Sequence, residues 1–402
     1  MPGSPRVLVA GGGIGGLTAA LALLRMGCDV EVFEQAPELK ELGAGLQLAA
    51  NGTRALFALG VGEELKGLSC EAEGKEIRLW NSGERWKLHD LGKVSVERYG
   101  HPYLTVYRPD LLGVLERAVR REKPGAIHLG AKCVGFEQTR EAVSVRLEDG
   151  RAVEADALIG ADGVHSRVRQ GLFGPDKPEF TGVVAWRGIV PMEALPRHMA
   201  RMVGSNWVGP GGHVVHYPLR AGKVMNFVGA QERSDWRVES WSARGTLEEL
   251  KADFAGWHDD VHALIRNIPV PYKWALMVRA PMERWTIGRV SLLGDACHSM
   301  VPFLAQGANM AIEDGYILAR ALTESDAGVP ARLLTYERAR RDRTRRAVEG
   351  SAANIQRFHN KALADPAKAR EYVSREWAGA PIAERYEWLF RYDVTKEKIR
   401  DA

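Results

Sequence analysis

Near the start of the chain three glycines stand as Gly11-x-Gly13-x-x-Gly16, between an apolar run and an apolar stretch with helical character. An acidic residue, Glu34, closes the next apolar run about 20 residues later. Arg6 to Ala10 reads as a short buried strand, Leu17 to Met26 as a helix and Asp29 to Glu34 as a second strand, so a βαβ unit opens the chain. That unit commits the first domain to a parallel sheet covered by helices. Gly11 permits the tight turn, Gly13 lets backbone approach a pyrophosphate, and Gly16 lets the helix pack close to the strand. The helix N-terminus then offers N–H groups and a partial positive charge to phosphates, while Glu34 is suited to accept from ribose hydroxyls. The expected dinucleotide contacts are Gly11, Gly13, Ile14, Gly15, Gly16, Glu34 and Gln35. The pattern alone does not separate a flavin from a nicotinamide dinucleotide.

At 402 residues the chain is long enough for two intimately associated domains. Lys plus Arg total 55 against 51 Asp plus Glu, a balance that argues for neither disorder nor a nucleic-acid surface. The arginines Arg338, Arg340, Arg341, Arg343, Arg345 and Arg346 read as a solvated helix face, balanced by Glu337 and Asp342. Cys28, Cys70, Cys133 and Cys297 are scattered, with no CxxC pair to suggest zinc or a disulfide framework, and a reducing cytoplasm fits best. Glycines interrupt the apolar stretch Val7 to Leu24, which disfavours a signal peptide, and no run is long enough for integral membrane association.

The expected fold is α/β, α+β overall, with a discontinuous Rossmann-like first domain. Residues 1–180 form its first part, with a β-hairpin insertion around 70–105 drawn from Glu76 to His89. Residues 181–280, rich in tryptophan and in strand-like runs such as Val214 to Tyr217, form a largely antiparallel second domain. Residues 281–350 return to the first domain through the apolar strand Val290 to Leu293 and a helix near Gly307 to Leu322, and 351–402 form a helical C-terminal segment.

Three further motifs follow in order: Arg108-Pro109-Asp110-Leu111, Gly160-Ala161-Asp162-Gly163, and Gly294-Asp295-Ala296-Cys297-His298 with Pro302 and Gly307 beyond. Together with the first fingerprint they resemble the flavoprotein aromatic hydroxylases related to para-hydroxybenzoate hydroxylase, over most of the chain but for its last fifty residues. The resemblance implies FAD as bound cofactor and NADH or NADPH as transient reductant, consistent with the lack of a second glycine fingerprint. It further implies O2, a flavin hydroperoxide and a small aromatic substrate, and adds Gly45, Arg108, Asp162, Asp295, Pro302, Gly307, Ala308 and Asn309 as cofactor contacts. Taken alone, Asp295 suits ribityl hydroxyls or a turn cap, Asp162 an ordinary Asp-Gly turn, and Arg108 a surface arginine. A homodimer is left open.

A phenol with a pKa of roughly 10 is a poor nucleophile at neutral pH, so a base or strong acceptor beside its oxygen is useful. In His213-Val214-Val215-His216-Tyr217, strand alternation puts His213, Val215 and Tyr217 on one face and His216 on the other. Such residues pack in a core or converge on a ligand. The resemblance favours the ligand, with His213, Tyr217 and Gln47 as catalytic candidates. Gln47 stands where hydroxynicotinate hydroxylases carry a histidine, and Pro302 where 3-hydroxybenzoate 6-hydroxylases carry glutamine. Salicylate-like substrates lead by elimination; the alternatives are 3-hydroxybenzoate or 6-hydroxynicotinate hydroxylation, a flavin redox sensor, or a plain NAD-dependent dehydrogenase. His298 is expected to be structural, and Arg187 to meet a carboxylate, a phosphate or a surface partner.

Overall fold

The computed structural model describes residues 4–39, 44–235, 243–377 and 380–399. Gly43, part of the expected glycine-rich excursion, lies outside them. The strand Arg6–Ala10 is buried along all but its first residue, as a strand covered on both faces must be, and it sits mid-sheet. It pairs in parallel with Asp29–Glu34 on one side and Ala157–Gly160 on the other. Val290–Leu292 and Ile127–Leu129 extend this six-stranded sheet, and Thr286–Ile287 closes one edge in antiparallel sense. Elements some 280 residues apart thus share one sheet, because each is a short segment that turns apolar side chains such as Val9, Val32, Ile159 and Leu292 into a common core.

The helix Ile14–Arg25 lies against the helix Gly307–Thr323. Their close approach depends on Gly315, where a Cβ would lie 2.7 Å from the Ala19 backbone nitrogen. A seven-stranded sheet forms the second layer, ordered Tyr272–Val278, Glu179–Pro191, Val224–Glu232, Gly212–Leu219, Val203–Gly209, Gly74–Leu79, Arg85–Asp90. One face is sealed by a core of Trp186, Trp207, Phe227, Phe254 and their neighbours. The other face looks toward the first domain.

Two features differ from the sequence expectation. The hairpin Gly74–Leu79 and Arg85–Asp90 does not sit on the first domain; it extends the large sheet, Gly74–Leu79 pairing in parallel with Val203–Gly209. Chain order put it early, but edge hydrogen bonding decides its layer. On the helix Val329–Phe358 the solvated arginine face holds for Arg338 and Arg346, which are exposed with Asp342, but not for Arg340, whose side chain is 0% exposed, nor for Glu337, which is buried and accepts from the backbone nitrogens of Trp285 and Thr286 at 2.7 Å each. No helix among the described residues is long and apolar enough to cross a membrane.

Candidate active site

One long cavity runs between the two layers. At one end it is walled by Gly13, Ile14 and Gly15, by Ala161, Gly163 and Val164, and by Leu293, Gly294 and Asp295. The glycine turn owes its shape to steric necessity. Gly11 has φ +110°, and a Cβ there would lie 2.3 Å from the Ala161 carbonyl oxygen; one on Gly16 would lie 2.0 Å from the Gly11 oxygen. A Cβ on Gly13 would meet no atom within 4 Å, so the open side of this residue is the cavity itself. Gly13 caps the helix Ile14–Arg25 without a side-chain hydrogen bond, which leaves first-turn N–H groups available to an anion in the cavity. The helix Gly307–Thr323 likewise opens on the cavity at Gly307 and Ala308, again without a side-chain cap.

The turns beneath are held by buried charge. Arg340 pairs through Nη2 with Glu313 Oε2 and through Nε with Asp314 Oδ1, both at 2.7 Å, and Arg343 reaches Glu313 at 2.8 Å. Asp314 Oδ2 meets His298 Nε2 at 2.5 Å and accepts from the Gly294 nitrogen at 3.2 Å; Asn51 Nδ2 joins Glu313 to Gln306. Burial alone would push the Asp314 carboxyl up, but His298 and Arg340 together hold it below the usual range. This network ties the Gly294-Asp295 turn to the Gln306-Gly307 turn.

The sheet side of the cavity presents His213, Val215 and Tyr217 from one strand, with Asn206, Val228, Phe303 and Phe358 around them. His213 Nδ1 lies 2.7 Å from His359 Nε2, and His359 Nδ1 lies 3.2 Å from Glu232 Oε1. The carboxylate can only accept, so His359 donates from Nδ1 and, when neutral, accepts at Nε2. His213 must then donate from Nδ1, which leaves its Nε2 lone pair free to accept on the cavity side. Burial, helped by His359, holds His213 well below the ordinary histidine value, and burial raises the Tyr217 phenol. His213 is therefore a neutral acceptor and Tyr217 a protonated donor.

A family model described as an FAD binding domain matches residues 5–351. The chain belongs to that family. Over 97% of its length it is 38% identical to the 3-amino-4-hydroxybenzoate 2-monooxygenase PtnB3 of Streptomyces platensis, covering 96% of that protein. It is 37% identical to the 3-hydroxybenzoate 6-hydroxylase of Polaromonas naphthalenivorans, covering 98% of this chain and 97% of the relative. A solved salicylate hydroxylase substrate complex superposes with a TM-score of 0.81 at 27% identity, covering 99% of this chain and 98% of the other. The chain is an FAD-dependent aromatic monooxygenase, with NAD(P)H as reductant. The similarity extends into the last fifty residues, which the motif resemblance had left out. A plain dehydrogenase built on the first fingerprint is ruled out, because all four motifs fall within one FAD-binding match.

The lining suits this family's cofactor: the glycine cradle would take the pyrophosphate, Asp295, which lines the cavity, would accept from ribityl hydroxyls, and the Gly307 helix start would face the ring system. Gly45, Gln47, Arg108 and Pro302 also line the cavity. Gly45 cannot carry a side chain, since a Cβ would lie 2.6 Å from the Tyr217 ring, and its nitrogen donates to Asn226 Oδ1. Gln47 Oε1 accepts from Tyr103 Oη at 2.9 Å.

Other expected residues stand off the cavity. Glu34 accepts from the nitrogens of Gly12 and Ala36, bracing the turn at the end of its strand, and Gln35 is exposed beside it. Asp162 accepts from the nitrogens of Arg167 and Val168 and so caps the next helix. Asn309 is buried, its amide spanning Ala49 N, Gln47 O and Ala305 O, so it shapes the wall without forming it. Arg187 is buried with its guanidinium 5.4 Å from the Tyr272 ring and 5.3 Å from that of Trp274. Sequence reasoning missed Lys75, Phe303, Phe358, His359 and Tyr386. The adjacent acids Glu313-Asp314, in a helix whose only other charge is Arg320, were a legible hint that buried cations had to exist.

Proposed function

We propose that the protein catalyses NAD(P)H- and O2-dependent hydroxylation of a small aromatic acid bearing a ring hydroxyl. The observation that carries this reading is the acceptor nitrogen of His213, turned to the cavity by the His359–Glu232 pair behind it. Bound FAD, once reduced, supplies the activation of oxygen. The chain's own part is to raise the electron density of the ring and keep water away. The substrate hydroxyl gives its proton to His213 Nε2; the Nδ1 proton moves to His359 Nε2, and the His359 Nδ1 proton moves toward Glu232. Because the Glu232 side chain is 53% exposed, that proton can leave to solvent. Val215, Val228, Phe303 and Phe358 line an apolar wall that limits wasteful loss of the activated oxygen.

His213 and Tyr217 are four residues apart on one strand, roughly 13 Å at about 3.3 Å per residue. A ring between them suits a hydroxyl and a carboxylate on different sides of the ring. That favours meta- or para-hydroxybenzoates, the pattern in the names of the two relatives above, over the ortho arrangement of salicylate. Salicylate stays as the second reading on the strength of the solved salicylate hydroxylase fold. The test is NADH and NADPH oxidation by the FAD-loaded enzyme with 3- and 4-hydroxybenzoate, 3-amino-4-hydroxybenzoate, 6-hydroxynicotinate and salicylate, measuring product and peroxide. Stoichiometric product from a meta or para acid is expected. Coupled turnover of salicylate alone would reverse the preference, and oxidation without any hydroxylated product would leave a flavin redox sensor.

A further inference from the structure

Two cations line the cavity among the described residues, Arg108 and Lys75. Arg108 opens the helix Arg108–Glu122 and its nitrogen donates to the carbonyl of Ala44, the residue before Gly45. Lys75 comes from the hairpin that extends the large sheet, and it stands in the wall between this cavity and an outer cleft lined by Glu73, Arg85, Lys87, Asp90 and Arg201.

We propose that Lys75 Nζ receives the carboxylate of the aromatic substrate, at the Tyr217 end of the cavity and away from His213. This assignment rests on the proposed phenolic-acid reading and names its anchor. Three observations support it. The register sets Lys75 beside Gly204, and a Cβ on Gly204 would lie 3.7 Å from Lys75 Cγ and 3.9 Å from Tyr217 Cβ. Glycine there puts no side chain between the ammonium and the tyrosine. The ammonium lies 4.8 Å from the centre of the Tyr103 ring, whose hydroxyl donates to Gln47, so Tyr103 links Lys75 to Gln47, and Lys75, Gln47 and Tyr217 all line the cavity.

The third observation is that the ammonium has no ion-pair partner among the described residues. Its neighbour Glu76 is committed to Arg201 Nη1 at 3.1 Å and to Ser205 Oγ at 2.8 Å. Desolvation without a compensating carboxylate pulls the Lys75 pKa down to about 7. An ammonium held this way is costly, and an incoming carboxylate offsets the cost. Hydrogen bonds to a charged group are the stronger kind, so the anchor governs affinity more than turnover.

The experiment compares 3-hydroxybenzoate with 3-hydroxybenzamide, and 4-hydroxybenzoate with its amide, in the FAD-loaded wild type, Lys75→Met and Lys75→Arg. Binding is followed by the change in flavin absorbance, and KM and kcat by product formation. Lys75→Met should weaken acid binding on the order of 10- to 100-fold while changing amide binding little, and Lys75→Arg should restore part of the preference. Retained FAD in each variant shows that the fold is intact. An equal loss for acid and amide, or no loss for either, would overturn the assignment. If wild type hydroxylates an acid and Lys75→Met keeps the same acid-to-amide ratio, only the anchor falls. If wild type binds no aromatic acid, the phenolic-acid reading and the anchor fall together.

Discussion

His213 Nδ1 and His359 Nε2 meet at 2.7 Å across 146 residues of sequence, one from the middle of the large sheet and the other from the end of a 30-residue helix. The contact sets which nitrogen of His213 faces the cavity, and in the proposed reaction Glu232 gives the proton an exit.

Replacing His213 by Ala should leave FAD bound while product per NADH falls and peroxide rises, with hydroxylation slowed on the order of 100-fold or more. His359→Leu leaves the acceptor in the cavity but removes its fixed tautomer, so a smaller loss, about 10-fold, is expected, with the pH dependence of coupling displaced from that of wild type. Unchanged coupling in both variants would remove the pair from the reaction.

That contact also marks where sequence reading ends. The opening βαβ unit was legible because one short segment carries its whole pattern: a strand, three glycines with separate steric duties, a helix and Glu34. The face shared by His213, Val215 and Tyr217 was legible from alternation alone. His359 was not, because its partner depends on how a C-terminal helix crosses the sheet. Arg340 was misread for the same reason: its carboxylates lie on another helix, and from its own segment a buried arginine looks like a solvated one.

The buried network predicts a stability effect distinct from catalysis. Removing Arg340 as Arg340→Met leaves Glu313 and Asp314 in the interior with Arg343, His298 and Asn51 as their remaining partners. Breaking a buried pair by deleting one member costs about 3–5 kcal/mol. Urea unfolding of the variant should show a loss of that size, along with weaker FAD retention, because Asp314 also holds the Gly294 nitrogen. A loss below about 1 kcal/mol would mean that the remaining partners satisfy both carboxylates.

The glycine turn allows two steric effects to be separated. Gly11→Ala places a methyl 2.3 Å from a carbonyl oxygen at φ +110°. Strain of this kind costs about 1–3 kcal/mol, so the apoprotein itself should lose stability. Gly13 has an ordinary φ of −74° and open space around it. Gly13→Ala should therefore leave apoprotein stability unchanged while lowering FAD affinity, since the methyl enters the phosphate cradle. Thermal melts of the two apoproteins and fluorescence titration with FAD distinguish the cases. Full FAD affinity in Gly13→Ala would move the pyrophosphate away from this turn.

Stability should fall on mild acidification, and the histidines of the large sheet give the reason. His216, buried behind the strand against Trp207, is pushed down to about 3 by burial, with Arg78 adding to the effect, and His213 is likewise held well below its ordinary value. In the unfolded chain both return to about 6.5. Below that pH the unfolded state takes up protons that the folded state refuses, so the stabilisation is complete above about pH 6.5 and is lost as pH falls toward the folded values. Each histidine contributes a slope of up to about 1.4 kcal/mol per pH unit. The Glu313 and Asp314 carboxyls, held low in the fold, lose their contribution only below their ordinary range near 4, outside this window. Urea midpoints at pH 7.5, 6.5 and 5.5 should therefore be similar for the first two and clearly lower for the third, and His216→Phe should flatten the drop. Equal midpoints at pH 7.5 and 5.5 would mean that the interior accommodates the charged rings.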